Sequence, residues 1–492
     1  MVEKAVQKTI GWLGNRWAVP VILFLSLCTH LPYMQMPATG HHVWRQCNTL
    51  ALARNYYEED MNILKPRIDK RFNTPGITGP EFPAQSWLFA AGYKIFGYSE
   101  SLHRWICWLF LALAVTGMVR LARLYQLPEW QAALTGAAIA FIPETYYQSI
   151  NAVPDMLSLA AMLWGWGFGI HWLKKQNWGS LLATAACMAL AGAVKMQFLM
   201  AGFPLMLGFL RQKNWKQPKM LLQGFVLAAL AGGATLGWYA FAGVLTAKYQ
   251  LHEFVHAMRH ARNLEEAAFI LGKTVISDIP ETFVGYAFLP LLLFAIPAIW
   301  PGRRQWGDWK VYAILCAVFY LLVQYQFWHH GYYALVFMPL FAYMVGKGAG
   351  YLAQTRAAWL VLWLWLAPAW AWFRMHDNWS PEGSRISLEF LTTPGDTYKK
   401  YSDPSVRWIV GPDKTGCVNF YYLHAKGFPW YHEDEAGELF TRFYAQGARG
   451  VITDNDSLLF KKLPAGLKAI PIQGRTTQTF TWYRLEKTGQ GQ

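Results

Sequence analysis

Charged residues are scarce in this chain of 492 residues. Asp, Glu, Lys and Arg make up 15% of the sequence, whereas an average soluble protein contains about 25%. Hydrophobic residues reach 54% and aromatic residues 16%, a composition typical of membrane proteins. The mean hydropathy of +0.15 is low for a chain that lies wholly in lipid, so the composition predicts membrane helices together with a sizeable part in water. A single soluble domain and a disordered chain are excluded.

Cysteine is also rare, with 6 residues, which excludes a scaffold built on disulfide bonds. Five of the cysteines lie in or beside apolar stretches and are interpreted as small buried residues, and only Cys417 lies well outside them. No spacing typical of a metal site occurs. We therefore predict no cofactor and no metal ligands, with a divalent cation at outer carboxylates as the alternative.

Acidic residues are the scarcer charge, with 29 against 44 basic residues and a net charge of +15. A protein that binds nucleic acid would gather its basic residues on one soluble face. Here they recur in short clusters between apolar runs, as the positive-inside rule expects of cytoplasmic connections. The sequence thus predicts no nucleic-acid partner, and the charge indicates orientation in a membrane.

Eleven apolar runs approach the roughly 20 residues that a helix needs to cross a bilayer. They cover residues 17–35, 103–121, 131–150, 153–173, 180–196, 197–210, 220–245, 283–300, 310–328, 332–350 and 357–374. The count is about eleven, because the two short runs within 180–210 have no polar break between them.

A cytoplasmic amino terminus agrees best with the charges of the connections. The amino-terminal segment and the five connections then inside carry sixteen cations and three acids. The cations are Lys4, Lys8, Arg16, Arg120, Arg123, Lys174, Lys175, Arg211, Lys213, Lys216, Lys219, Arg303, Arg304, Lys310, Lys347 and Arg356. Eleven spans place the carboxyl end outside the cytoplasm.

Two domains are predicted, a transmembrane domain over 1–375 and a soluble extracytoplasmic domain over 376–492. The first has long outer loops at 36–101 and 246–282, in which "NTLALARNYYEED", "PAQSWLFAAGYKIFG" and "HEFVHAMRHARNLEEAAFILGK" have amphipathic helical spacing. In the second, "RWIVG", "GARGVITDN" and "QTFTWYRLE" predict strands, and "CVNFYYLHA" and "DEAGELFTRFYAQ" predict helices. The alternation indicates a small α/β or α+β module.

Ionisable and aromatic polar residues collect in the connections assigned to the outer face, and they are the candidate functional residues. They are His41, His42, Arg45, Asn48, Lys65, Glu81, Glu144, Asp155, Lys195, His330 and Tyr333. Structural alternatives exist for most of them: Asp155 and Glu81 as helix caps, His330 as an interfacial anchor, Lys65 as a headgroup contact, Glu144 as a loop residue. Together they suit chemistry on a lipid-borne phosphate, in which a carboxylate accepts a proton and cations neutralise the leaving group.

Four segments of the chain resemble one family. "HHVWRQCNTLALARNYYEEDMNILKPRID", "PEFPAQSWLFAAGYKIFG", "VPDMLSLAAMLWGWG" and "HHGYYALVFMPLFAYMVG" are similar to segments of bacterial integral-membrane glycosyltransferases of the GT-C class. The branch is family 39, the protein-mannosyltransferase-like group, with a more distant similarity to the lipid A aminoarabinose transferase. The resemblance covers roughly residues 17–375, and the carboxyl-terminal module resembles the periplasmic domain of many members.

The resemblance implies a multi-pass protein of the bacterial cytoplasmic membrane. Such an enzyme transfers a sugar, with inversion, from a polyprenyl-phosphate carrier at the outer face. The acceptor, whether protein, lipid or glycan, stays open. Lys195, His330, Tyr333 and Arg45 would stabilise the carrier phosphate, with His41, His42, Asn48 and Lys65 as further binding candidates.

Asp155 matches an acidic position of the family, but the first acidic position is occupied by Asn48 in "WRQCNT". An amide cannot serve as a general base. Glu81 in "EFP" is the preferred base, with His41 or His42 as alternatives. Two other readings stay open: a transporter or flippase for a lipid-linked saccharide, and a non-catalytic relative.

Overall fold

The computed structural model describes residues 2–254, 259–299, 307–431 and 436–489. The α-helices of the first half are α1 (Val2–Leu13), α2 (Ala18–His30), α3 (Val43–Glu58), α4 (Ala84–Phe96), α5 (Leu102–Leu124), α6 (Glu129–Phe141), α7 (Pro143–Gln148), α8 (Asp155–Lys175), α9 (Trp178–Val194), α10 (Gly202–Arg211) and α11 (Pro218–Tyr249). Those of the second half are α12 (Leu264–Lys273), α13 (Leu289–Ile299), α14 (Gly307–His329), α15 (Met338–Leu352), α16 (Ala367–Met375), α17 (Glu389–Thr392), α18 (Gly395–Tyr401), α19 (Val418–Tyr422), α20 (Ala436–Ala445) and α21 (Asp456–Lys462).

Shorter helical turns join several of these helices. They are 3-10 turns at Leu31–Tyr33, Met196–Ala201, Asn214–Lys216, Gly331–Phe337, Ala358–Leu366 and His376–Asn378, and a π-helix at Thr274–Phe283. Residues 255–258 of the second outer segment, Arg303 and Arg304 of an inside connection, and the first residues of "DEAGELFTRFYAQ" lie outside the described residues.

Helix occupies all or most of each of the eleven apolar runs, within the residues that the structure describes. Among the described residues, five helical segments are long and apolar enough to cross a membrane: α5, α8, α11, α14, and the stretch Gly331–Leu352 that contains α15. The pair α1 and α2, bent by 95°, gives a sixth if it counts as one span. The chain is therefore a multi-pass membrane protein, and eleven spans stay a prediction.

The chain forms two compact units, and both are discontinuous in sequence. The helical unit comprises Met1–Gln35, His103–Ala240 and His256–Asp377. The sheet unit comprises Met36–Leu102, Phe241–Val255 and Asn378–Gln492. The carboxyl-terminal segment of the sheet unit thus begins close to residue 376, and the first outer loop forms part of the same unit.

Small residues let the helices of the helical unit pack closely. A Cβ atom on Gly165 of α8 would lie 3.0 Å from the Cβ of Cys187 in α9. A Cβ on Gly348 of α15 would lie 1.7 Å from the carbonyl oxygen of Leu291 in α13, a distance that no side chain tolerates. Between α8 and α9, Gln176 adopts a left-handed conformation and Asn177 caps α9 by accepting from the amide of Ser180 at 2.7 Å.

The described residues of the sheet unit form five strands: β1 (Arg407–Val410), β2 (Gly427–Pro429), β3 (Ala448–Thr453), β4 (Leu467–Thr476) and β5 (Thr481–Lys487). Their order is β2-β1-β3-β5-β4, with β2, β1 and β3 parallel and β5 and β4 antiparallel. Residues 408–410 of β1 are buried in succession, as in a strand covered on both faces. The predicted strands and helices of this module are confirmed, and β2 and β4 were not predicted.

The amphipathic interpretation of the outer segments is only partly correct. The predicted helices of the first loop exist as α3 and α4. However, α3 is buried almost throughout from Val43 to Tyr56, so it is a core helix of the sheet unit instead of a helix with one apolar face. In the second segment the backbone at His252 and Glu253 is not helical, and helix resumes only at α12.

Candidate active site

Asp155 and Lys195 form an ion pair inside the helical unit. Asp155 is the first residue of α8, follows Pro154 and is fully buried. Lys195 follows α9 in an extended conformation (φ −152°, ψ 108°), so the helix stops there and a 3-10 turn begins. The Lys195 Nζ lies 3.9 Å from Oδ2 of Asp155, and the lysine is only 7% exposed. The cap alternative for Asp155 holds only in part, because Pro154 occupies the N-cap position and Asp155 lies in the first turn, where its charge favours the helix dipole.

Aromatic rings from the "HHGYY" segment surround the same lysine. The Nζ of Lys195 lies 5.7 Å from the ring centroids of both Tyr332 and Tyr333. The His330 ring stacks on Tyr332 at 5.5 Å. The structure thus brings together Lys195, His330 and Tyr333, the residues that the family resemblance predicts to bind the carrier phosphate. Tyr332 is an additional member of the cluster.

Glu144 is a buried helical residue, so its interpretation as a loop residue is wrong. It lies in α7 and its Oε1 accepts from the Gln148 side-chain amide at 2.9 Å. A Cβ atom on Gly331 would lie 2.7 Å from the Glu144 carboxylate, so the glycine allows this close approach. Glu144 therefore adjoins the segment that supplies His330 and Tyr333.

In the sheet unit, Arg45 and Glu81 form a second ion pair. The Nη2 of Arg45 in α3 donates to Oε2 of Glu81 at 2.7 Å. The Arg45 guanidinium also lies 5.1 Å from the ring centroid of Phe254. Arg45 is buried, whereas the Glu81 side chain is 20% exposed, so solvent reaches the carboxylate from one side. The pair fixes the Glu81 carboxylate in place.

His41 and His42 precede α3 with their rings edge to face, 3.8 Å apart between centroids. His42 adopts a left-handed conformation (φ 60°) at the position before the helix. Burial, together with the nearby charge of Arg385, lowers the pKa of His41 to about 4. His41 is consequently neutral at neutral pH and weakly basic.

Asn48 donates from Nδ2 to Oε1 of Glu253 at 3.1 Å. Glu253 also forms an ion pair with Lys70, and Lys70 donates to the Tyr431 hydroxyl at 3.0 Å. Burial by itself would lower the pKa of Lys70, but the charge of Glu253 outweighs it and the pKa rises. Glu253 was not predicted as a site residue, because its segment was interpreted as an amphipathic helix. The sequence signal that could have identified it is an acidic residue among basic and apolar ones.

Lys65 stands on the surface of the sheet unit, where its ionic partner in the described part of the chain is Asp60 at 3.9 Å. A second network lies nearby in sequence: the partly exposed Glu59 accepts from the buried Arg71 Nη2 and Lys426 Nζ, both at 2.6 Å. Burial by itself would raise the pKa of Glu59, but the two cations outweigh it and hold the pKa at about 2. These ion pairs stabilise the sheet unit.

Among the described residues, no three His, Cys, Asp or Glu side chains form a cluster able to hold a metal ion.

Comparison with known proteins gives one family match and several structural matches. Residues 78–238 match the family of the dolichyl-phosphate-mannose-protein mannosyltransferases. No curated protein matches the sequence at a significant level.

The fold is similar to that of ArnT from Cupriavidus metallidurans bound to undecaprenyl phosphate, with a TM-score of 0.63 and 14% identity over 96% of this chain and 98% of ArnT. It is also similar to the archaeal oligosaccharyltransferase AglB from Archaeoglobus fulgidus in complex with an inhibitory peptide and a dolichol-phosphate. There the TM-score is 0.58 and the identity 13%, over 90% of this chain and 70% of AglB. These matches confirm the resemblance drawn from the four sequence segments: the chain has the fold of the GT-C class of integral-membrane glycosyltransferases.

Proposed function

We propose that this protein is an inverting glycosyltransferase that moves a sugar from a polyprenyl-phosphate carrier to a protein, lipid or glycan acceptor at the outer face of the cytoplasmic membrane. The observation that carries the proposal is the buried Lys195, held beside Asp155 and beneath two tyrosine rings in the helical unit. The structural similarity to ArnT bound to undecaprenyl phosphate and the match to a dolichyl-phosphate-mannose family support it.

Lys195 is suited to binding the carrier phosphate. The Lys195 ammonium is a buried cation beside aromatic rings, and a low-dielectric setting strengthens its attraction for a phosphate. Tyr333 supplies a hydroxyl donor and His330 an imidazole from the adjoining turn. When the bond from the anomeric carbon to the phosphate oxygen breaks, negative charge grows on that phosphate, and a fixed cation stabilises it in the transition state.

Glu81 is suited to the acceptor. The acceptor oxygen attacks the anomeric carbon and loses its proton, which the Glu81 carboxylate takes up as general base. Arg45 orients the carboxylate through the ion pair at 2.7 Å, and the remaining exposure of Glu81 leaves an approach for the acceptor. In the helical unit, Asp155 holds Lys195 through the ion pair at 3.9 Å. His41 is a weaker candidate for the base, because its low pKa makes it a poor proton acceptor.

The test is transfer of a radiolabelled sugar from undecaprenyl phosphate in proteoliposomes that contain the full chain. Glu81→Gln and Asp155→Asn each keep the side-chain shape and remove the charge, and we expect each to lower turnover by a hundredfold or more. Glu129→Gln, at an exposed carboxylate paired with Arg123, is the matched control and is expected to retain activity.

Full activity of both site variants would contradict the residue assignment. Movement of the sugar-lipid across the bilayer without cleavage of the sugar-phosphate bond would instead favour the transporter. The configuration of the product's anomeric carbon, read by nuclear magnetic resonance, tests inversion.

A further inference from the structure

A large apolar cavity lies in the helical unit, and none of the residues assigned above lines it. It has a volume of about 590 Å³ and is enclosed by α8, α9, the 3-10 turn before α10, α10 and α11. That volume lies within the range of small-molecule sites. Representative lining residues are Met188, Leu205, Phe209, Trp215, Leu221 and Ala228.

Few polar groups line the cavity. Two of its polar side-chain groups bond within the protein: the Trp172 indole donates to Gln223 Oε1 at 2.9 Å, and the Thr184 hydroxyl donates to the Ser180 carbonyl at 2.7 Å. An occupant is therefore recognised by apolar contact. Apolar walls make dispersion contacts with methylene groups, so a hydrocarbon chain is the fitting occupant.

The cavity opens to its surroundings on the apolar flank of the helices. Three lining side chains, Met206, Leu221 and Phe225, are 53%, 55% and 71% exposed. All three belong to helices that are apolar along most of their length, and α11 is long and apolar enough to cross a membrane. The opening is consequently suited to entry of a chain from the lipid phase.

One end of the cavity adjoins a basic connection. Leu210, Trp215 and Leu221 line the cavity, and the stretch between Leu210 and Leu221 carries Arg211, Lys213, Lys216 and Lys219 with no acid among them. Arg211 pairs with Asp308 at 3.1 Å. Within the residues that the structure describes, the three lysines have no ion pair to an acidic side chain. Lys216 lies over the Trp215 ring at 5.2 Å, which ties the charged stretch to the cavity wall.

We infer that this cavity binds an anionic phospholipid, with an acyl chain between α8 and α11 and the phosphate headgroup on Lys213, Lys216 and Lys219. The charge complementarity selects an anionic headgroup over a zwitterionic one. Each lysine near such a headgroup changes affinity about fivefold, so all three together account for roughly a hundredfold.

The experiment measures retention of phosphatidylglycerol and phosphatidylcholine by the purified full chain, using native mass spectrometry after release from nanodiscs of each composition. We expect one tightly held phosphatidylglycerol in the wild type. Lys213→Gln, Lys216→Gln and Lys219→Gln combined should weaken its retention roughly a hundredfold. The matched charge control is Lys461→Gln with Lys462→Gln in α21, which should leave retention unchanged.

A second pair of variants tests the cavity itself. Gly202 lines the cavity and a Cβ there would meet nothing within 4 Å, so Gly202→Trp fills the space. Gly232 of α11 is equally open but does not line the cavity, so Gly232→Trp is its control. We expect Gly202→Trp to lose the lipid and Gly232→Trp to keep it. Ala228 of α11 also lines the cavity, and Ala228→Trp replaces the first variant in the test if Gly202→Trp does not fold, as judged by thermal unfolding.

Equal retention of the two phospholipids, or retention of phosphatidylglycerol by a folded occluded variant, would overturn the inference. Displacement of the bound lipid by undecaprenyl phosphate would also overturn it, because the cavity would then take the carrier. These readouts count bound lipid and do not depend on sugar transfer.

Discussion

Lys195 stands where a helix stops. The extended backbone after α9 turns its side chain toward Asp155 and the rings of Tyr332 and Tyr333, so a cation is held in a mostly aromatic and apolar setting. Such a cation is costly to bury, which is why buried charges of this kind mark functional sites. The end of α9 at Lys195 therefore does more than terminate a helix, because it places a cation in the candidate site.

Replacement of Lys195 tests its role in phosphate binding. Lys195→Met removes the charge and keeps the length of the chain, and we expect kcat/KM for the lipid-linked donor to fall by about a hundredfold or more. Lys195→Arg keeps the charge and should restore part of the activity, which a purely structural role would not produce. Lys461→Met in α21 is the control. Unchanged kinetics in a folded Lys195→Met protein would rule out the phosphate role.

Asn48 has a structural contact that bears on the non-catalytic reading. Its amide donates to Glu253 at 3.1 Å, so Asn48→Asp would place two carboxylates against each other. We expect this variant to lower the melting temperature more than Asn48→Ala does, and to gain no activity. Both are measured on the same purified samples. A rise in turnover for Asn48→Asp from an inactive parent would favour a non-catalytic relative.

Glu59 controls the stability of the sheet unit at low pH. Its pKa is about 2 in the folded protein against an ordinary value of 4.5, so its contribution is complete above about pH 4.5 and is lost as the pH falls toward 2. Glu59→Gln removes this counter-charge from Arg71 and Lys426, but Glu59 is partly exposed and Lys426 keeps Glu58 at 3.8 Å, so the change should cost about 1 kcal/mol at pH 7. Thermal unfolding from pH 7 to 2 measures both effects. A difference between wild type and variant that does not shrink below pH 4.5 would contradict the assignment.

At the scale of elements, the packing of α13 against α15 depends on a glycine. Gly348→Ala would bring a Cβ to within 1.7 Å of the Leu291 carbonyl oxygen, so the helices must separate, at a cost of about 1–3 kcal/mol. Gly232→Ala, in an open helical position, should be neutral or stabilising by up to about 1 kcal/mol. Thermal unfolding of the two variants in the same detergent compares them. Equal melting temperatures would show that the close approach is not needed.

Elements with a strong local pattern were predictable, and those that depend on partners were not. The strands β1, β3 and β5 have alternating or continuous apolar residues that identify them in sequence. By contrast, β2 is only Gly427–Pro429, too short to carry a pattern, and β4 has a mixed sequence with Pro471 inside it. The helix α3 was predicted, but its burial was not, because Arg45, Asn48 and Arg54 give it the composition of a surface helix.

At the scale of the whole molecule, the fold class followed from composition and the grouping of site residues did not. Apolar runs and four motifs were enough to predict a helical membrane protein with the GT-C fold. Lys195 and Tyr333 are 138 positions apart in sequence, and only the tertiary fold brings them together. Glu253 was missed for the same reason, since nothing local links it to Asn48 or Lys70.

The phosphate-binding role of Lys195 is tested most directly by the position of the carrier phosphate in a cryo-electron microscopy structure of the full chain with undecaprenyl phosphate. We expect the phosphate within hydrogen-bond distance of Lys195 Nζ, beside Tyr333. Density for the phosphate at a site that contains neither Lys195 nor Tyr333 would contradict it.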